Sequence, residues 1–254
     1  MESAASIEKR YSDSGRYFRG KYHEQGIEAI KQHASRHPFF KNVLYRDYRP
    51  RHLLRYLCIA EVFPEPLTAE MILDVGSRDR SLEEVLKRPC SLVDKNNPNL
   101  PSWDWEKESL PYSESAFDTI VCLDTLEHIN DFHASFQDLL RVSKKNVIIS
   151  LPNCWRKMFK QMLKGRGDVA SYGLPPEKPM DRHKWFMNTQ EIEEFLAYQS
   201  AAGEHPYTIK KIVYHVQNTI PRHRIQYPLM KWLLPERYFK NLLVNNVFVW
   251  IEKK

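Results

Sequence analysis

The sequence predicts an α/β fold, a mostly parallel sheet with helices packed on its faces. Four short apolar runs, Met71–Val75, Ser91–Asp94, Thr119–Leu123 and Asn146–Leu151, are interleaved with two helix-spaced segments, Ser81–Lys87 and Asp131–Val142. That alternation is the pattern of parallel strands joined by crossover helices. The first run ends in an acid and a glycine, within Met71-Ile-Leu-Asp-Val-Gly-Ser-Arg-Asp-Arg80. The second run ends in another acid, Asp94, twenty residues after Asp74. In an open α/β sheet ligands bind outside the carboxyl ends of the strands, so both acids stand where a nucleoside would lie.

Each element has its own signal. Residues 1–66 read as a helical cap or arm, because Ile27, Ile30, His33 and the cluster Leu53, Leu54, Tyr56 and Leu57 recur at helix-like spacing. Pro64 and Pro66 close that arm, and residues 67–254 form the sheet domain. Within it Asn188 followed by Glu191 forms a capping-box start for a helix running to about Tyr198. Tyr207–Val216 and Val244–Glu252 read as two further strands. Two insertions interrupt the alternation. Residues 153–187 are basic and aromatic, and residues 218–243 carry Pro221, Pro228 and Pro235. Connections of that length inside a compact domain are functional or partly helical.

Composition narrows the class. A chain of 254 residues with 42% apolar content holds one α/β domain with appendages, or at most two small domains. No apolar stretch approaches the roughly 20 residues of a membrane span. The segment Met1-Glu-Ser-Ala-Ala-Ser-Ile-Glu-Lys-Arg10 lacks the apolar core of a secretory signal. Cys58, Cys90, Cys122 and Cys154 are widely spaced with no CxxC pair, so the expectation is reduced thiols, a cytoplasmic protein and no metal centre. A net charge of +6 favours acidic partners such as phosphates, nucleic acid or an anionic membrane face.

The site begins at Gly76, where a side chain would obstruct a ligand approaching the first strand. Asp94 ends the second strand, where a carboxylate accepts hydrogen bonds from ribose hydroxyls. The decisive stretch is Glu106-Lys-Glu-Ser-Leu-Pro-Tyr-Ser-Glu-Ser-Ala-Phe-Asp-Thr-Ile-Val-Cys-Leu-Asp-Thr-Leu-Glu-His-Ile129. It resembles the class I S-adenosylmethionine-dependent methyltransferases, in particular the type 11 group. There an acid precedes Leu-Pro-Phe, then Ser-Phe-Asp, a strand and Leu-Glu-His-Ile. The likeness is close over residues 71–153, with a weaker echo at Asp181-Arg-His-Lys-Trp-Phe186.

The resemblance implies a three-layer Rossmann-like methyltransferase fold with a mostly parallel seven-stranded sheet and a C-terminal antiparallel strand. It also implies roles. Asp74, Gly76 and Ser77 line the methionine half of S-adenosylmethionine, Asp94 binds the ribose hydroxyls and Lys95 flanks the adenine. Glu106 meets the adenine amino group, with Asp104 as the alternative. Asp124, Thr125 and His128 face cofactor and acceptor. Asp118 precedes a strand and reads as a turn or cap. One departure stands out: the family pattern is Gly-x-Gly-x-Gly, and here Gly76-Ser-Arg-Asp-Arg80 keeps only the first glycine. Either the Arg78 and Arg80 side chains point to solvent or the pocket is altered.

Methyl transfer to a hydroxyl benefits from a base, and the candidates are His128, His183 and Asp181. His128 is either that base or a group packing the next helix. The segment 181–186 is a pocket wall, with Arg182 or Lys184 meeting an anion, or a loop anchored by Trp185 and Phe186. Cys154–Asp168 reads as a basic amphipathic helix, with Trp155, Met158, Phe159 and Met162 on one face and Lys157, Lys160 and Lys164 elsewhere. Such a helix suits an anionic membrane, a phosphate-bearing acceptor or an ordinary lid. The expected activity is O-methylation of a small-molecule, sugar or lipid-linked glycan acceptor, with peripheral membrane association. A non-catalytic cofactor-binding scaffold is the alternative. RNA methylation is disfavoured, because no base-nitrogen tetrad of the Asn-Pro-Pro-Tyr type is present.

Overall fold

The computed structural model describes residues 43–46, 52–78, 80–95, 100–165, 171–174, 176–179, 181–217, 229–230 and 232–254. A four-residue strand, β1 (Val43–Arg46), precedes six longer-range partners: β2 (Ile72–Val75), β3 (Ser91–Val93), β4 (Phe117–Leu123), β5 (Ser143–Pro152), β6 (Tyr207–Gln217) and β7 (Asn246–Lys253). The six form a mixed sheet in the order β6-β7-β5-β4-β2-β3, and β1 lies parallel along the outer edge of β6. β7 runs antiparallel to β5 and β6, while β2, β3, β4 and β5 pair in parallel. The mostly parallel sheet with a reversed C-terminal strand is as the sequence predicts.

Alternation along each central strand divides the core into two layers. On one face Ile72, Val121, Leu123, Ile148, Phe248 and Trp250 meet Tyr56 and Ile59 of helix α1 (His52–Val62), Phe63 just after it and Leu82 of α2 (Ser81–Leu86). On the other face Ile120, Val147, Ile149, Val249 and Ile251 pack under α3 (Phe132–Val142), α5 (Thr189–Ala202) and α6 (Glu236–Leu243). Strands covered on both sides read as continuous apolar runs, which is why Ile72–Val75 is buried throughout. Phe136 of α3 is fully buried between Phe195 of α5 and Tyr207 of β6. All four cysteines are free thiols.

Local chemistry sets the helix ends. Asn188 accepts the backbone N–H groups of Gln190 and Glu191, and Glu191 returns a bond to the Asn188 N–H, completing the capping box. Asn153 starts α4 (Cys154–Met162) by accepting from Trp155 and Arg156. Its amide also donates to the carbonyls of Lys240, Asn241 and Val244, tying α4 to the end of α6.

The N-terminal region departs from the expected helical arm. Val43–Arg46 is a strand, pairing from Val43 opposite Tyr214 to Arg46 opposite Gln217. The physical reason is the open edge of β6, whose unpaired backbone groups accept a Val-Leu-Tyr-Arg segment of good strand propensity. Ile27, Ile30, His33 and residues 218–228 lie outside the described residues. Among the described residues no helix is long and apolar enough to cross a membrane.

Truncating Phe136 to Ala removes a ring from the centre of the larger core layer. Urea unfolding should show a loss of about 3–5 kcal/mol, with the midpoint falling and the slope retained.

Candidate active site

The site gathers where β2, β3, β4 and β5 end. After β2 the chain turns at Gly76, whose φ of +72° is left-handed. The Gly76 and Ser77 N–H groups both donate to the Val93 carbonyl, at 2.8 and 3.3 Å, which folds the turn onto β3. A Cβ on Gly76 would lie 2.3 Å from Thr125 Oγ1, so the β2 and β4 loops touch through this glycine. Arg78 also has positive φ, 58°, and its N–H donates to Asp94 Oδ2 at 3.1 Å. The αL turn of the glycine-rich pattern is therefore present, occupied by an arginine whose residue is exposed. Arg80 points to solvent and pairs with Glu83 at 2.8 Å.

Asp74 is fully buried, and its Oδ2 accepts the Tyr56 hydroxyl at 2.7 Å. Ser77 is equally buried, and among the described residues its Oγ has no hydrogen-bond partner. Lys95 reaches Asp104 at 3.0 Å rather than Glu106. Glu106 instead accepts the Asn130 backbone N–H at 2.9 Å and its side-chain amide at 2.6 Å. Of the two acids considered for the adenine, Asp104 is thus the one joined to Lys95.

Asp124, at φ 48°, closes β4. Its Oδ1 accepts from Ser150 Oγ at 2.5 Å and Asn246 at 3.0 Å, and its Oδ2 pairs with Arg55 at 3.0 Å. The Arg55 and Tyr56 contacts come from α1, a helix that the sequence placed in a cap.

Beyond Asp124 the 3-10 turn Leu126–His128 carries two polar groups inward. His128 Nδ1 meets Asp181 Oδ1 at 2.9 Å, and the His128 and His183 rings cross edge to face with centroids 4.6 Å apart. His183 Nδ1 meets the Tyr172 hydroxyl at 2.6 Å, and that oxygen meets Cys154 Sγ at 2.5 Å. Backbone bonds fix the segment: Lys184 N–H donates to the Glu127 carbonyl at 2.7 Å, and Trp185 Nε1 donates to the Ile129 carbonyl at 2.8 Å. Trp185 packs on Phe132 and His133, and Phe186 on Tyr172. The two aromatics anchor the loop, and His128, Asp181 and His183 are brought together. Tyr172 and Cys154 complete the cluster, and nothing in their local sequence announces them.

Residues 91–151 match the model of a methyltransferase domain family. That match spans the segment from β3 to the end of β5. No curated protein matches it in sequence. Among solved structures it is similar to a SAM dependent methyltransferase from Archaeoglobus fulgidus at 14% identity, covering 82% of this chain and 96% of that one, with a TM-score of 0.49. It is also similar to magnesium protoporphyrin IX methyltransferase from Synechocystis PCC 6803, solved with bound SAH. There the identity is 13%, the coverage 80% of this chain and 84% of that one, and the TM-score 0.48.

The electrostatics of the site separate neighbouring groups. Burial, then the charge of Asp124, pushes the Glu127 carboxyl up to about 8. Burial, then the neighbouring His128 charge, pushes His183 down to about 4. Burial also opposes charge on His128, but its bond to Asp181 and the nearby Glu127 outweigh that and raise it. Burial alone would raise Asp181, yet the bond to His128 holds it below the usual carboxylate range. At neutral pH His183 is therefore uncharged, while the partners of His128 favour its charged form.

The Gly76 contact generates a coupled prediction. Gly76→Ala should cost about 2 kcal/mol or more, from left-handed backbone strain and the clash with Thr125. Adding Thr125→Ala removes the two shortest contacts and should restore part of that loss in thermal denaturation, leaving the backbone component.

Proposed function

We propose that this protein transfers the methyl group of S-adenosylmethionine to an oxygen of a small-molecule, sugar or lipid-linked glycan acceptor. The observation that carries this reading is the contact of the Gly76 turn with Thr125, two residues before Glu127 and His128. A cofactor turn and a cluster suited to a hydroxyl are therefore contiguous.

The residues fit the cofactor. Asp94 already holds one loop N–H and, as a carboxylate with several lone pairs, has capacity for ribose hydroxyls. Ser77 offers a buried hydroxyl without a partner beside the turn, and Asp74 lies beneath it at the methionine end. Lys95, with Asp104 or Glu106, borders the adenine. S-adenosylmethionine supplies an electrophilic methyl on a sulfonium, so its leaving group needs no acid. The protein's task is to align the acceptor, exclude water and remove the hydroxyl proton. His128, His183 and Asp181 face the acceptor for that purpose, with His183 uncharged at neutral pH and open to a proton or a cation.

Isothermal titration tests the cofactor assignment. The intact protein should bind both S-adenosylmethionine and its demethylated product. Asp94→Ala should weaken that binding by about a hundredfold or more, the loss of two charge-assisted bonds. A wild-type protein that binds neither overturns the proposal.

A second surface supports peripheral association with an anionic bilayer. Trp155, Met158, Met162 and Leu163 on and just after α4 are exposed, as are Trp232 and Leu233 before α6. Lys157 and Lys164 are exposed on the same segment. Apolar groups beside cations, on a chain of net charge +6, suit the boundary of an acidic membrane. Sedimentation with phosphatidylglycerol vesicles should recover the protein and release it as salt rises, while phosphatidylcholine vesicles leave it in solution. Equal behaviour with both lipids, or no binding to either, would reject the membrane assignment.

A further inference from the structure

We propose that Glu127, His128 and His183 form a binding site for one divalent first-row transition ion, of the zinc or iron type. The inference rests on the methyltransferase reading only for the ion's use, in activating the acceptor hydroxyl; the site itself stands on geometry.

One donor atom from each of the three residues lies within 4.8 Å of the others. His128 Nε2 is 3.9 Å from Glu127 Oε1. Ligands bound tetrahedrally at about 2.1 Å sit roughly 3.4 Å apart, so small side-chain rotations close the set around an ion. Glu127 is 1% exposed, and among the described residues its Oε2 has no hydrogen-bond partner. A buried carboxylate oxygen left in that state is costly, and a coordinated cation satisfies it.

The outer partners are also those of a metal centre. In each histidine Nδ1 is engaged, by Asp181 Oδ1 at 2.9 Å for His128 and by the Tyr172 hydroxyl at 2.6 Å for His183. That leaves Nε2 on each ring for coordination, and a carboxylate or hydroxyl behind a ligating imidazole fixes its tautomer and orientation. The Tyr172 hydroxyl has Cys154 Sγ as its further neighbour, so the support continues into the buried start of α4. Two imidazoles and one carboxylate select transition ions over magnesium, which prefers oxygen ligands. Three protein ligands leave a position for an acceptor oxygen; with the ion bound, the two imidazoles hold it rather than act as bases, and the bound hydroxyl loses its proton to solvent more readily than the free one.

Sequence spacing conceals the set. Glu127 and His128 are adjacent, His183 comes from a distant loop, and no CxxC pair marks a metal centre.

The test uses the full chain stripped of metal by chelator and titrated with Zn²⁺ in a calorimeter, with Co²⁺ absorption reporting the ligand field. Wild type should bind a single ion that millimolar Mg²⁺ does not displace. Glu127→Gln and His183→Gln should each weaken it at least about tenfold, and Asp181→Asn by about 10–100-fold. Circular dichroism identifies a variant that fails to fold. If Glu127→Gln is such a case, His183→Gln, on a partly exposed loop, decides. No uptake by wild type, or unchanged affinity in His183→Gln, overturns the site. A parallel titration with S-adenosylmethionine separates the two proposals. Zn²⁺ binding without cofactor binding defeats the methyltransferase assignment, and cofactor binding without Zn²⁺ binding defeats the metal site.

Discussion

The candidate site depends on a contact between two loops, Gly76 after β2 and Thr125 after β4. Because Cβ has no room between them, the β2 turn can rest on the β4 turn only with glycine at that position. The contact sets where the inward-facing groups of both strands meet. On one side the turn is bonded to the Val93 carbonyl and, through the Arg78 N–H, to Asp94. On the other, Thr125 leads directly into the turn carrying Glu127 and His128. The groups proposed for cofactor and acceptor are therefore positioned by one steric constraint rather than by two independent loops.

Much of this was legible in the sequence, for physical reasons that differ by element. The central strands were visible because both faces are buried, so Ile72–Val75 and Val147–Leu151 are almost wholly apolar. The α5 start was visible because a capping box is a local device, complete within Asn188–Glu191. The Arg78 and Arg80 departure was visible as well, though its meaning was not. A left-handed backbone favours glycine without requiring it, and the Arg78 N–H bond to Asp94 supports the strained residue.

What escaped the sequence depends on long-range placement. The β1 segment is a strand because β6 offers an open edge, a property of the sheet and not of residues 43–46. Arg55 and Tyr56 serve the site because α1 packs beside the ends of β2 and β4. Nothing in an amphipathic helical pattern distinguishes such residues from ordinary surface ones. Tyr172 and Cys154 are separated by eighteen residues and joined by one contact. Glu106 accepts both donors of Asn130, a pairing across 24 residues that no local pattern announces.

The two acids Asp124 and Glu127 show how burial and partners divide labour within one turn. Asp124 has Arg55, Ser150 and Asn246 arranged around both oxygens, so its charge is matched by the fold. Glu127, one helical turn further on, is as deeply enclosed as any core residue, with one oxygen unpartnered and Asp124 as the chief source of repulsion. A carboxylate matched on all sides stabilises the end of a strand and has little left for a ligand. One that is enclosed and unmatched is costly in the apo protein, and only a proton or a cation relieves it. Sequences optimised solely for stability replace such a residue with an apolar one. Its presence between His128 and the loop that delivers His183 therefore points to chemistry at this end of the sheet.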